Sequence, residues 1–114
     1  MDTKVLKFKK GSKDLAQKNG LPKAFFNNPK YKSMSIDARY LYMILALKMM
    51  NTKKVDGDGN MYVVYSNKDL MDDMNCRAFT VDRLKKELVN HDLLVEEDMP
   101  SGQNNRLYPL QVKN

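Results

Sequence analysis

Three observations predict an α+β fold, a winged helix-turn-helix built from three main helices and a β-hairpin. First, Ser66 with Asp69 three positions on is a capping-box arrangement, and Leu70, Met71 and Met74 give the helix it opens one apolar face. Second, Asn75 tolerates the left-handed backbone of a tight turn. Beyond it, Arg77 to His91 sets Val81, Leu84 and Leu88 on one stripe of a 3.6-residue period. Third, Leu93-Leu94-Val95 and Leu107 to Val112 are β-prone runs on either side of a loop from Pro100 to Asn105.

The elements before this unit follow in order. Residues 1–20 are Lys-rich and interrupted by Gly11 and Gly20, which predicts a basic arm with a short strand around Val5 to Phe8, ahead of a domain spanning 21–114. Pro22 suits the first position of a short helix through Phe26, and Asn28-Pro29 breaks the chain before Tyr31. Ser35 caps a longer helix from Ile36 to about Asn51, with Asp37 favourable to its dipole. Tyr40 to Leu47 is apolar on every side, so this helix is expected either at the centre of the core or in a dimer interface. Asp56 to Asn60 reads as a turn, and Met61 to Tyr65 as a strand leading into the Ser66 cap. Pro109 places the return strand of the wing at a sheet edge.

Composition bounds the function. With 114 residues, 42% of them hydrophobic and 30% charged, the chain suits one globular domain. Cys76 is alone, which excludes an internal disulfide and a cysteine metal cluster, fits a reducing cytoplasm, and suggests a small packing residue. Lys4, Lys7, Lys9 and Lys10 interrupt any signal-peptide core, and Tyr40 to Leu47 is far shorter than the ~20 residues of a membrane span.

The formal charge of +6 is unevenly distributed. Residues 1–34 carry nine lysines against Asp2 and Asp14, whereas residues 66–114 carry seven bases against nine acids. A cationic arm suits phosphate contacts that hold a duplex without reading it; the bland alternatives are a solvated tail or a membrane-surface segment.

At 100° per residue, Phe79, Arg83, Lys86 and Asn90 lie opposite the apolar stripe of the second helix. A helix with an exposed cationic face after a tight turn suits a DNA major groove. Arg83 there can pair bidentately with guanine, Phe79 can pack on a thymine methyl or fold back, and Lys86 can meet phosphate or simply be solvated. Asp82 beside them would repel phosphate unless it accepts from a cytosine amino group. Arg77, Ala78 and Thr80 at the start of the helix, Asn104 and Arg106 in the wing, and Lys10 and Lys32 complete the candidate contacts. Glu96, Glu97 and Asp98 make the wing weakly suited to phosphate, leaving its amides for a minor groove or its surface for a second subunit.

The Asp56 turn fails as a calcium loop, with Met61 at position six and Asn67 at position twelve. His91, the single histidine, ends a helix without an acid–nucleophile arrangement around it. With no phosphate-loop or dinucleotide fingerprint either, an enzyme is not expected, and neither is a metal or cofactor.

Leu21-Pro22-Lys23-Ala24-Phe25-Phe26, then Asn28-Pro29-Lys30-Tyr31-Lys32-Ser33, resembles the opening signature of the N-terminal domain of plasmid replication initiator protein A. The resemblance runs on through Ser35 to Leu47, the Val55-Asp56 turn ending in Met61-Tyr62-Val63, and Asn75-Cys76. It closes with Leu84-Lys85-Lys86-Glu87-Leu88 and Leu93-Leu94-Val95-Glu96, covering about residues 21–112. It implies a winged-helix homodimer on repeated origin sites (iterons), with host replication proteins met through a C-terminal domain that this stretch does not include. It also implies that the chain is a DNA-binding fragment. Two departures stand out: Arg77-Ala78-Phe79 where the family usually has small polar residues, and Asp92 where Gly is common. A winged-helix repressor, or a winged helix used for protein contact, remains an alternative from the residues alone.

Overall fold

A computed structural model of the chain describes residues 7–10 and 24–112. The elements are α1 (Ala24–Asn27), α2 (Pro29–Lys32), α3 (Ile36–Thr52), β1 (Lys54–Val55), β2 (Met61–Val64), α4 (Asn67–Met74), α5 (Ala78–Asn90), β3 (Leu94–Glu97) and β4 (Arg106–Pro109). Each helix boundary has a local cause. The Asn28 side chain accepts from the Lys30 N–H at 2.9 Å and Pro29 needs no donor, so the expected break restarts the chain as α2, with Tyr31 inside it. Ser35 accepts from the Ala38 N–H at 3.1 Å, and Ser66 from the Asp69 N–H at 3.0 Å.

Helices α4 and α5 end the same way. Asn75 at φ 52° and Asp92 at φ 59° take the left-handed conformation. Beside them the Cys76 N–H reaches the Met71 carbonyl (3.0 Å) and the Leu93 N–H the Leu88 carbonyl (2.9 Å), the bonds of a Schellman closure. Asp92 thus does the work of the more usual Gly, and its carboxylate also meets Lys30 Nζ at 2.9 Å.

The sheet has strand order β1-β2-β4-β3, antiparallel throughout. This corrects the expected edge placement of the Pro109 strand: β4 lies between β2 and β3. The proline is tolerated because of where its missing donor would point. The Leu110 N–H donates toward β3, to the Leu93 carbonyl at 2.9 Å, so by alternation the Pro109 nitrogen faces the other side. There β2 pairs only with Arg106 and Leu107.

Residues 7–10 run along this side of the sheet. The Met61 N–H donates to the Phe8 carbonyl (2.7 Å) and the Lys10 N–H to the Gly59 carbonyl (2.8 Å), with bridges from Lys7 to Leu110 and from Lys9 to Asn60. The Phe8 side chain is buried in the core. The strand expected from Val5 lies outside the described residues before Lys7, as does Pro22.

The core sits between the sheet and α3, with α4 and α5 packed alongside. Phe25 meets Tyr31 and Tyr42 edge-on, and the Tyr42 hydroxyl donates to the Leu110 carbonyl at 2.5 Å, tying α3 to the end of β4. Helix α3 buries Ala38, Leu41, Tyr42, Leu45, Ala46 and Met49. It is not covered all round, however: Ile36, Tyr40 and Leu47 are 76%, 55% and 60% exposed, an apolar stripe that no described residue covers. Cys76 is half-buried against the core. No described helix is long and apolar enough to cross a membrane.

Candidate nucleic-acid interface

The inward face of α5 is Val81, Leu84, Lys85 and Leu88. That geometry leaves Phe79, Asp82, Arg83, Lys86, Glu87 and Asn90 to line an open depression on its outer side. Phe79 is 68% exposed at the start of the helix, beside the exposed Arg77 and Ala78, and Thr80 is half-buried behind it. The ion pairs among the described residues are Lys30–Asp92, Lys85–Glu96 and Arg106–Glu97, so Arg77, Arg83 and Lys86 have no acidic partner there.

Of the two acids on the depression, Glu87 is turned to other use. Its carboxylate accepts from the Ser35 N–H (2.6 Å) and the Ser35 hydroxyl (2.9 Å), so the side chain that lines α5 also locks the start of α3. Asp82 stays exposed beside the cations. Sequence reasoning missed Glu87, because a contact across 52 residues leaves no local signal. It also missed Lys85, although a lysine next to Leu84 and four residues after Val81 was a visible break in the apolar stripe.

The remaining candidates are dispersed. Lys32 is exposed at the end of α2, which docks against the C-terminal end of α5 through Lys30–Asp92 and a Ser33–His91 contact of 3.3 Å. Lys10 sits exposed beside the β1–β2 turn, on the sheet rather than on α5. Asn104 is exposed in the wing loop, where Gly102 at φ 89° makes the turn. Arg106 is at the root of the wing rather than its tip: its guanidinium lies 4.5 Å from the centre of the Tyr62 ring and 3.9 Å from Glu97. The structure therefore gathers Phe79, Arg83, Lys86 and Asn90, and holds Arg106 against the sheet.

The Asp56 turn is closed by its own hydrogen bonds. The carboxylate accepts from the Asp58 and Asn60 N–H groups, both at 2.9 Å, and from the Tyr108 hydroxyl at 2.8 Å. The Asn60 backbone donor leads in holding the Asp56 carboxyl down at about 2. Desolvation leads in pushing the Tyr108 phenol up to about 12.

A helix-turn-helix with an unpaired cationic outer face, followed by a β-hairpin, defines a winged-helix domain of the kind that docks on nucleic acid. Residues 19–114 match the model of the family described as replication initiator protein A (RepA) N-terminus, and the chain belongs to that family.

Solved structures agree. The chain is similar to one described as the N-terminal domain of a DNA binding protein, at 34% identity and TM-score 0.68, covering 88% of this chain and 81% of that one. It is similar to a Rep–DNA complex at 32% identity and TM-score 0.69, covering 90% and 85%. It is also similar to an MDR initiator at 36% identity and TM-score 0.67, covering 90% and 86%. No curated protein matches the sequence.

Proposed function

We propose that this chain is the DNA-binding domain of a plasmid replication initiator, and that it reads repeated duplex sites in the origin by laying the outer face of α5 in the major groove. The observation that carries the reading is the pair of cations on that face without an acidic partner among the described residues, Arg83 and Lys86, with Arg77 exposed at the cap before it, in a family where a similar chain is described in a Rep–DNA complex. Its role is binding rather than catalysis. The wing loop, with Asn104 exposed, reaches the adjacent groove through amides and backbone, since it lacks free positive charge. The basic N-terminal segment adds phosphate contacts from Lys10 and its neighbours. Two copies associate through the exposed stripe of α3, which suits repeated or inverted half-sites.

Binding of a duplex carrying the parent origin repeats, compared with a shuffled duplex at physiological salt, tests this. A ratio of roughly 10³ or more is expected for a specific complex. Equal affinity for the two duplexes would refute sequence reading, and binding that ignores salt would refute the phosphate contacts. Footprinting of the origin separates an initiator, which protects the repeats there, from a repressor that protects a promoter.

A further inference from the structure

Lys85 is 7% exposed in the inward stripe of α5, a position where the helix period calls for an apolar residue. A lysine is rarely buried unless its ammonium is paired and hydrogen-bonded. Here Nζ donates to Asn67 Oδ1 at 2.8 Å and to Glu96 Oε2 at 3.3 Å. The same Glu96 oxygen accepts from Asn105 Nδ2 at 3.0 Å. Asn105 in turn reaches Asp98 Oδ1 at 3.2 Å, and its Oδ1 accepts from the Met99 N–H at 3.2 Å. One ammonium therefore joins α5 to the first turn of α4, to β3, and through Asn105 to both ends of the wing loop.

Little else ties that loop to the helices. Asp98 and Pro100 to Asn104 are exposed, in a loop that lies past the last β3–β4 and β2–β4 pairs, both of which fall at Arg106. A buried ion pair is a poor source of stability, since replacing both partners by apolar side chains of similar volume commonly does as well or better, whereas removing one partner strands the other. What Lys85 supplies that a methionine would not is a set of directed bonds.

We infer that Lys85 is a positioning residue that sets the angle of the wing against α5, so that helix and wing meet two adjacent grooves of one duplex together. This rests on the DNA-binding reading above. Lys85→Met keeps the stem and removes the donors.

The experiment takes a duplex selected from a random-sequence pool by the unmodified chain and compares three quantities: melting temperature, wing amide exchange, and the hydroxyl-radical footprint. In Lys85→Met the melting temperature is expected to fall, because Glu96 loses its cation and Asn67 its donor, and the Met99 amide is expected to exchange faster than that fall alone accounts for. Affinity is expected to fall roughly tenfold, within the coupling seen among residues of one polar network. The footprint should lose protection on the wing side and keep it under α5, a split that general destabilisation does not produce.

Unchanged exchange and footprint would overturn the inference, and so would loss of both protections in step with the melting temperature. Asn105→Ala cuts the same network at its surface end and decides the matter if Lys85→Met does not fold: a wild-type wing footprint in that variant overturns the inference. If the unmodified chain selects no duplex, the DNA-binding reading fails, while wing exchange in Lys85→Met still decides whether the coupling exists.

Discussion

Replacing Phe8 with alanine should destabilise the whole domain, although Phe8 lies in what composition presents as a solvated basic arm. Its side chain is 3% exposed and belongs to the same core as Tyr42, Val63 and Leu107. A phenylalanine buries about 150–250 Å², which at about 25 cal/mol per Å² is about 4–6 kcal/mol. Compaction of the unfolded chain removes about 10–40% of that. About 3–5 kcal/mol remains, the range found for Phe→Ala in cores. Because residues 7–10 can let go rather than leave a cavity, the loss is capped at what docks them. That cap includes two backbone hydrogen bonds, Met61 N–H to the Phe8 carbonyl and Lys10 N–H to the Gly59 carbonyl, each worth about 1 kcal/mol. Urea unfolding followed by circular dichroism reads the effect. With a slope of about 1–3 kcal/mol per molar, the midpoint should fall by more than about 1 M. A change under about 0.5 kcal/mol, the size of an ordinary surface substitution, would refute the docking of this segment.

Four further outcomes are expected. Arg83→Ala should cost about 1–3 kcal/mol and relax discrimination at one base position in a panel of singly substituted duplexes. Lys9→Gln with Lys10→Gln should instead weaken all duplexes alike and lower the log–log salt slope by about 0.9 for each phosphate left without its lysine; a uniform effect of Arg83→Ala, or an unchanged salt slope for the lysine pair, counts against the assignment. The Asp56 carboxyl is held at about 2 by the folded state, against about 3.9 in an unfolded chain. Its stabilisation is therefore complete above about pH 4 and lost as pH falls through 2. Urea midpoints between pH 5 and 2 should drop more for the unmodified chain than for Asp56→Asn, and parallel curves would contradict this. Leu47→Glu, on the exposed stripe of α3, should convert a dimer into a monomer by light scattering without lowering the melting temperature; an unchanged mass sinks the proposed interface.

What the sequence revealed and what it hid divide along sequence distance. Ser35, Ser66 and Asn75 act within a few residues of themselves, so their caps and turn were legible, and the stripe of Val81, Leu84 and Leu88 placed Arg83 and Lys86 outward. Pro109 misled because the edge rule concerns a missing donor. Which side that donor would face depends on pairing with β2 and residues 7–10, which no local pattern carries. Tyr40 to Leu47 looked covered all round because a continuous apolar run has no preferred face; only packing shows that Tyr42 and Leu45 point inward while Tyr40 and Leu47 do not. Arg106 read as the cation of the wing, and its place over the Tyr62 ring, 44 positions earlier, leaves no local signal.

The central place of β4 has a consequence for how the chain is made. Among the described residues β3 pairs only with β4, and until β4 arrives β2 has only the two-residue β1 and, at Met61, the segment around Phe8. Residues 7–10 also complete their bridges at Leu110, near the far end of the chain. Contacts between distant segments form slowly because loop closure comes first, and synthesis delivers only about 5–20 residues per second. On a ribosome, then, α3, the short β1–β2 hairpin, α4 and α5 are available well before the central strand, and Phe8 waits beside an unfinished surface. Assembly is concentrated in the moment after Arg106 to Leu110 emerge, so a nascent chain halted just short of them would display helices but no platform to hold them.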